Sequence, residues 1–446
     1  MRLYHRGRFF FWIAKELFAK YKKSLSAGVI LGAVFMFLLW KLFPVIKYNL
    51  LSPVERIAVV GEYTPSTLPI YIQKQISFGL VKLTQQGLAI GDLAYNWEAT
   101  DSGKSYVFRL RNDVNWPDGE KVTAKDVNYN IRDVQFEALD DFTLKVTLKS
   151  AYSPLPTLLT KPIIRRGLQG FGEYKVDNLV LKGDFIQYLR LVTDSSALKP
   201  IIEYRFYRTE TQAITAYKLG DVDILYDLDN PSELATWTGT VVDKKPLYDE
   251  IVAIFFNLKD QLLSEKSIRQ ALGYAIPETT NERSYSPLNK FSWAYTDKIR
   301  RYTPNLAQAK KILTFANIDL NGKEVVIITF PDYLGVAQSI ANSWGELGLV
   351  AKVKVENSLP PDFQILLSAQ LIPPDPDQYP FWHSTQQNTN ITGLANVKID
   401  KILEDARIEQ DLEKRKKLYI EFQRFLVEDA PAIFYFYPNH YTVRRV

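Results

Sequence analysis

Residues 106–127, YVFRLRNDVNWPDGEKVTAKDV, decide the fold of this chain. Tyr106, Phe108 and Leu110 alternate with Val107, Arg109 and Arg111, the two-residue period of a half-buried strand. Trp116, Pro117, Asp118 and Gly119 close it, since proline presets one turn torsion and glycine permits a positive φ. Thr123 then precedes Ala124, Lys125, Asp126 and Val127 as the N-cap and first turn of a helix. Strand, turn and helix share an aromatic anchor, and none of these residues is catalytic.

The order Y-x-F-x-L-R-x-x-V-x-W-x-D-G-x-x-x-T-A-x-D-V resembles the signature of the family 5 extracellular solute-binding proteins, the peptide- and nickel-binding subunits of ABC importers. The resemblance continues on both sides. Gly79-Leu80 and Asp92 to Trp97 precede the stretch as in the family. Gly170 to Tyr174 is similar to a G-T-G-P-Y element, with Phe171 and Glu173 in place of Thr and Pro. Gly220 to Ile224, Phe256-Asn257 and Ser267 to Ile276 follow, with Pro277 where an Asp is usual. Asp375-Pro376-Asp377 leads to Trp382 and Ser384, and Asn390, Asn396 and Asp400 keep the family spacing, with Leu394 in place of a usual Tyr.

This resemblance implies an α/β fold of the periplasmic-binding-protein-like kind (type II, peptide-binding subclass), with two lobes and a hinge. Lobe 1 is expected over 56–250, including a shortened extra subdomain at about 76–170, and is completed by 430–446. Lobe 2 is expected over 251–429. The alternation of strand and helix patterns points independently to parallel α/β sheet.

The chain's 446 residues are too many for one ordinary core. Its composition, 46% hydrophobic and 24% charged, is that of a folded globular protein. No cysteine is present, which excludes disulfides, thiolate metal sites, a cysteine nucleophile and a lipidated cysteine. Leu25 to Trp40 is almost unbroken apolar sequence, extended by Leu42 to Ile46 to the roughly 20 residues a bilayer needs. Residues 24–46 therefore read as a transmembrane anchor, with a cleaved signal peptide as the competitor; no small-x-small cleavage site follows the run. Residues 1–23 form a basic, amphipathic tail expected in the cytoplasm, and 47–55 a linker, which places a single-pass protein in the cell membrane with its large domain outside. Residues 1–52 hold nine Lys or Arg against one Glu, a net of +8 that leaves −3 for the rest of a chain totalling +5. The exterior part has no basic footprint for nucleic acid.

Reactive chemistry is scarce. Of three histidines, His5, His383 and His440, no two have metal-ligand spacing on a helix. A site built from His383 with Asp375 or Asp377 is conceivable, a polar pocket being the plainer reading, and no cofactor is expected. Gly103-Lys104-Ser105 lacks the earlier glycine of a phosphate-binding loop, Glu98 standing there, and reads as a hairpin turn. Asp375 and Asp377 suit turn formation in a proline-rich loop better than acid–base work, so no enzyme is expected.

Aromatic residues make up 13% of the chain, suited to holding varied ligands by stacking and apolar contact. By resemblance, two lobes close over an extended ligand that pairs with the strand Leu366 to Gln370, by strand addition. Peptide-binding relatives carry an acidic residue three positions before the D-P pair for the peptide's α-amino group. Ile372 stands there, so that anchor is missing, and Asp375 or Asp377 is the substitute. The expected ligand-binding residues are Tyr63, Asn257, Trp293, Ser368, Gln370, Asp375, Asp377 and Trp382. Peptides or similar extended solutes are the expected ligands, with a separate permease and ATPase as partners. A membrane-anchored scaffold, sensor or peptide chaperone on the same fold is the alternative.

Overall fold

The computed structural model describes residues 53–193 and 199–446, together with scattered positions between 12 and 41. Among the described residues no helix is long and apolar enough to cross a membrane. The expected span over 24–46 lies partly outside them; residues 27–28, 30–37 and 41, which are described, are helical.

Two sheets organise the rest. The first has seven strands in the order Thr240–Pro246, Asn439–Arg445, Ile224–Leu228, Val54–Val60, Ile201–Tyr207, Phe185–Val192 and Lys175–Lys182. Val54–Val60 pairs in parallel with both of its neighbours, so the chain must cross over between them. The helix Glu210–Leu219 makes that crossover. Thr209 caps its start by accepting from Gln212 N–H at 3.3 Å, and Gly220 ends it at φ +83°, where a side chain would be strained.

The second sheet has five strands, in the order Val350–Val355, Glu324–Thr329, Ile365–Leu371, Glu250–Phe256 and Ala432–Phe436. The interior strand Glu250–Phe256 is buried from Ile251 to Phe256 and reads as continuous apolar sequence, as strands covered on both faces do. Trp344, fully buried on the helix Leu334–Gly345, stacks near Phe256 at 6.4 Å and donates its indole N–H to Leu272 O at 3.0 Å. The helices Val397–Ile408 and Leu412–Asp429 cover the same core with Leu403, Ala406, Tyr419 and Phe422.

The opening stretch lies in a third unit, a four-stranded antiparallel sheet ordered Ala94–Thr100, Ser105–Leu110, Thr143–Leu148 and Val134–Asp140. Tyr106, Phe108 and Leu110 are buried there, as their alternation predicts. Gly103 does lie in a turn between two paired strands. The helix expected after Thr123 is only a three-residue 3₁₀ turn, Ala124–Asp126. Thr123 donates both its backbone N–H and its hydroxyl to Asp126, at 2.8 and 3.1 Å, which fits a helix start. Asn128 then accepts from Asn130 N–H at 2.8 Å, a local bond that competes with helix propagation.

The chain passes between the two large sheets twice. After the paired residues Pro246 and Asn439, Leu247 N–H donates to Pro438 O at 2.8 Å, so the crossings run side by side. The expected return of all of 430–446 to lobe 1 is corrected by the pairing. Ala432–Phe436 joins Glu250–Phe256 in the second sheet, and only Asn439–Arg445 joins the first.

Candidate functional site

The strand Ile365–Leu371 pairs along its whole length with Glu250–Phe256. On its other edge it meets Glu324–Thr329 only as far as Leu367, because that chain turns away at Phe330 into Pro331–Tyr333. Among the described residues no strand lies against that edge of Ser368, Ala369, Gln370 and Leu371.

Two cavities open at this bare edge and share Phe330, Ser368 and Ala369. The larger, 480 Å³, lies between the sheets: Asp229, His440 and Tyr441 line it from the first, and Glu250, Phe330 and Tyr333 from the second. The smaller, 320 Å³, lies within the second unit and is walled largely by Phe330, Leu359, Phe381, Trp382 and Ile391. Both volumes fall within the ~300–1,000 Å³ typical of small-ligand sites.

The larger cavity is acidic. Asp229, Glu250 and Asp332 line it, and His440 is the basic group among them. The His440 imidazole contacts Asp227 at 2.5 Å through Nδ1 and Asp229 at 3.4 Å through Nε2. The hydrogen bond to Asp227 raises the His440 pKa above 6.5 against the opposing effect of burial, with Asp229 and Glu250 adding to the rise. Burial pushes the Glu250 carboxyl up, while His440 pulls it down.

Of the residues expected at the site, Ser368, Gln370 and Trp382 line the smaller cavity, and Ser368 lines both. Trp382 is fully buried, its indole N–H donating to Gln378 at 3.1 Å. The others lie elsewhere. Tyr63 donates its hydroxyl to Val60 O at 3.1 Å and packs edge-on against Phe206 in the first core. Asn257 donates to Phe363 O at 2.8 Å and accepts from Lys259 N–H at 3.0 Å, tying a loop to a strand end. Trp293 packs edge-on against Tyr419, beside Arg415, where the four-stranded unit meets the second sheet's helices.

Asp375 and Asp377 line neither of the two cavities. Buried Asp375 is gripped at both oxygens by Arg415, at 3.0 and 2.5 Å. Asp377 accepts from Arg407 at 3.0 Å and from the Tyr152 hydroxyl at 3.2 Å. With arginines already in place, neither carboxylate stands ready for a ligand amine. Ile372 is buried, and its N–H donates to Asp249 O at 2.7 Å. The conceivable metal set also disperses: His383 bonds Thr385 and Glu404, at 2.8 and 3.3 Å, rather than Asp375 or Asp377. Among the described residues no group of three or more His, Asp or Glu is placed to hold a metal.

Sequence reading missed Asp229, Glu250, Phe330, Tyr333 and His440. The available signal was positional: Asp229 follows the carboxyl end of a central strand, a usual place for ligand contacts in open α/β sheets, while Glu250 and His440 flank the crossings.

The sequence profile described as "Bacterial extracellular solute-binding proteins, family 5 Middle" matches residues 89–188 and 200–391. The oligopeptide-binding protein AppA of Bacillus subtilis (strain 168) is 23% identical over 427 residues, covering 78% of each chain. The nickel-binding periplasmic protein of Escherichia coli (strain K12) is 26% identical over 256 residues, 48% of each. Among solved structures, a nickel ABC transporter protein from Bacillus halodurans superposes with a TM-score of 0.75 at 16% identity, covering 88% of this chain and 95% of that one. AppA of Bacillus subtilis in complex with a nonapeptide superposes with a TM-score of 0.63 at 20% identity, covering 88% and 94%. At these identities the superpositions establish a common fold.

Proposed function

The chain belongs to the family 5 bacterial extracellular solute-binding proteins, and from that premise we propose that it captures a peptide or similar extended solute between its two sheets for delivery to an ABC permease. The observation that carries this reading is the unpaired edge of residues 368–371, which opens on both cavities. An extended ligand laid there adds main-chain hydrogen bonds, while the cavities take its substituents. Ser368, Gln370 and Trp382 form the ligand wall in this reading. Tyr63, Asn257, Trp293, Asp375 and Asp377 hold the frame through the internal bonds they already make.

The apolar run at 25–46, with its basic flank before it, tethers the protein to the cell membrane and keeps the binding units outside. Transport then uses permease and ATPase chains encoded separately, and the protein carries out no reaction of its own. The relatives' functions, peptide and nickel binding, weigh toward import rather than toward a scaffold or sensor.

The test is thermal unfolding of the full chain in lipid nanodiscs with peptides, nickel–histidine complexes and oligosaccharides. A true ligand at a hundred times its Kd stabilises the folded state by about 2.7 kcal/mol and raises Tm accordingly. No rise with any of the three classes rejects the capture reading; a rise with oligosaccharides alone rejects the peptide assignment.

A further inference from the structure

The two cavities that share the bare strand edge have opposite chemistry. Across the sheets, Asp229, Glu250 and Asp332 line the larger one. Phe330, Phe381, Trp382 and Ile391 wall the smaller one, with Leu359, itself 56% exposed, on its lining. An apolar hollow left open to water is unfavourable in proportion to its area, and an apolar group entering it recovers that free energy. An unpaired strand edge likewise leaves main-chain donors and acceptors for an added strand.

Both cavities touch Phe330, Ser368 and Ala369. A strand advances about 3.3 Å per residue, so groups filling the two cavities from one extended ligand sit within a residue or two of each other.

Resting on the peptide-capture reading, we propose that the protein selects peptides whose first or second residue is apolar, with the free α-ammonium directed to the acidic cavity and the apolar side chain seated in the smaller one. Charge complementarity sets the direction: the lining of the smaller cavity includes no carboxylate to pair with an ammonium group, and the carboxylates of the larger one disfavour the ligand's own carboxylate. Trp382 belongs to a motif common to the family, so selectivity particular to this chain resides in the other wall residues, Leu359 and Asn388 among them. Leu359 and Asn388 both line it and are exposed, so altering them leaves the core intact.

The experiment is calorimetric titration of the full chain in lipid nanodiscs with tetrapeptides of one length, bearing leucine, phenylalanine, serine or aspartate at the first or second position on a glycine background. Each is used with a free and an acetylated amino terminus. Leucine and phenylalanine peptides should bind at least about tenfold more tightly than serine peptides, a discrimination within reach of an apolar pocket. Acetylation should weaken every peptide. Asn388→Trp, which fills the cavity, and Leu359→Asp, which charges its wall, should each remove the apolar preference, bringing leucine- and serine-peptide affinities within about threefold of each other.

Tight peptide binding with no apolar preference, or a preference that survives both substitutions, overturns the selectivity and leaves peptide capture standing. Binding that is unchanged by acetylation overturns the proposed orientation. No binding of any tetrapeptide overturns the inference and the capture reading together.

Discussion

Asp375 and Asp377 show how one residue type serves different ends within three positions. Their proline-rich setting made backbone capping legible, and Asp377 N–H and Tyr379 N–H do donate to Asp375 and Asp377 at 3.0 and 3.1 Å. The arginines that bind these carboxylates, Arg415 and Arg407, were not legible, because they come from helices 30 and more residues later. Asn390, Asn396 and Asp400 also prove to be fasteners: Asn396 caps a helix by accepting from Lys398 N–H at 3.0 Å, and Asp400 holds Ser384 N–H at 2.9 Å. His440 carries the prediction at this scale. Its folded state holds a proton more tightly than the unfolded imidazole, whose pKa is near 6.5. The stability this supplies is complete below pH 6.5 and is lost as pH rises through the folded value. The urea midpoint of the parent chain should therefore decline above pH 6.5, His440→Gln should flatten that decline, and parallel pH profiles for the two would count against the Asp227–His440 pair.

Elements with a single dominant periodicity were read well from sequence, and those set by their neighbours were not. The strand Ser105–Leu110 announced itself by alternation, and Gly220 marked its helix end. The strand expected at Leu366 to Gln370 runs from Ile365 to Leu371, because Glu250–Phe256 pairs with it along that whole length. Nothing local in Ser368-Ala369-Gln370 marks the one-sided pairing that defines the site, which follows from Phe330 turning away in a different strand. The small hairpin Val81–Leu83 with Ala89–Gly91 supplies this scale's prediction. At its turn, Gly87 has φ +81°, and a Cβ there would meet Pro374 O at 2.6 Å. Gly87→Ala should destabilise the protein by more than about 1 kcal/mol, since backbone strain and displacement of Pro374 add. A urea midpoint unchanged from the parent would show that the hairpin does not bear on the loop before Asp375.

At the scale of the whole chain, the two-lobed plan was readable from the succession of family motifs, but the place where the last strand changes sheets was not. Residues 430–446 read from sequence as one return to lobe 1; only the pairing separates Ala432–Phe436 from Asn439–Arg445. The four-stranded unit adds a third tie between the sheets' units. Tyr106 donates its hydroxyl to Gln410 at 3.0 Å, Ser153 N–H donates to Arg407 O at 2.7 Å, and Tyr152 shares Asp377 with Arg407. Arg407→Gln removes the charge that balances Asp377 and should loosen this tie, giving the ligand-free protein a larger radius of gyration by small-angle scattering. Identical scattering curves for parent and variant would mean that the crossings alone set the arrangement.

Those crossings carry a mechanical consequence. Pro246 ends a strand of the first sheet and Pro438 stands on the returning strip, each with its φ fixed and no N–H to donate. Where the strips touch, the bond from Leu247 to Pro438 is received by a residue that cannot return it. The connection therefore works as a pin rather than a zip: swinging one half of the molecule against the other need not unpick a ladder, and the twist is confined to the few bonds between the fixed prolines and the second sheet.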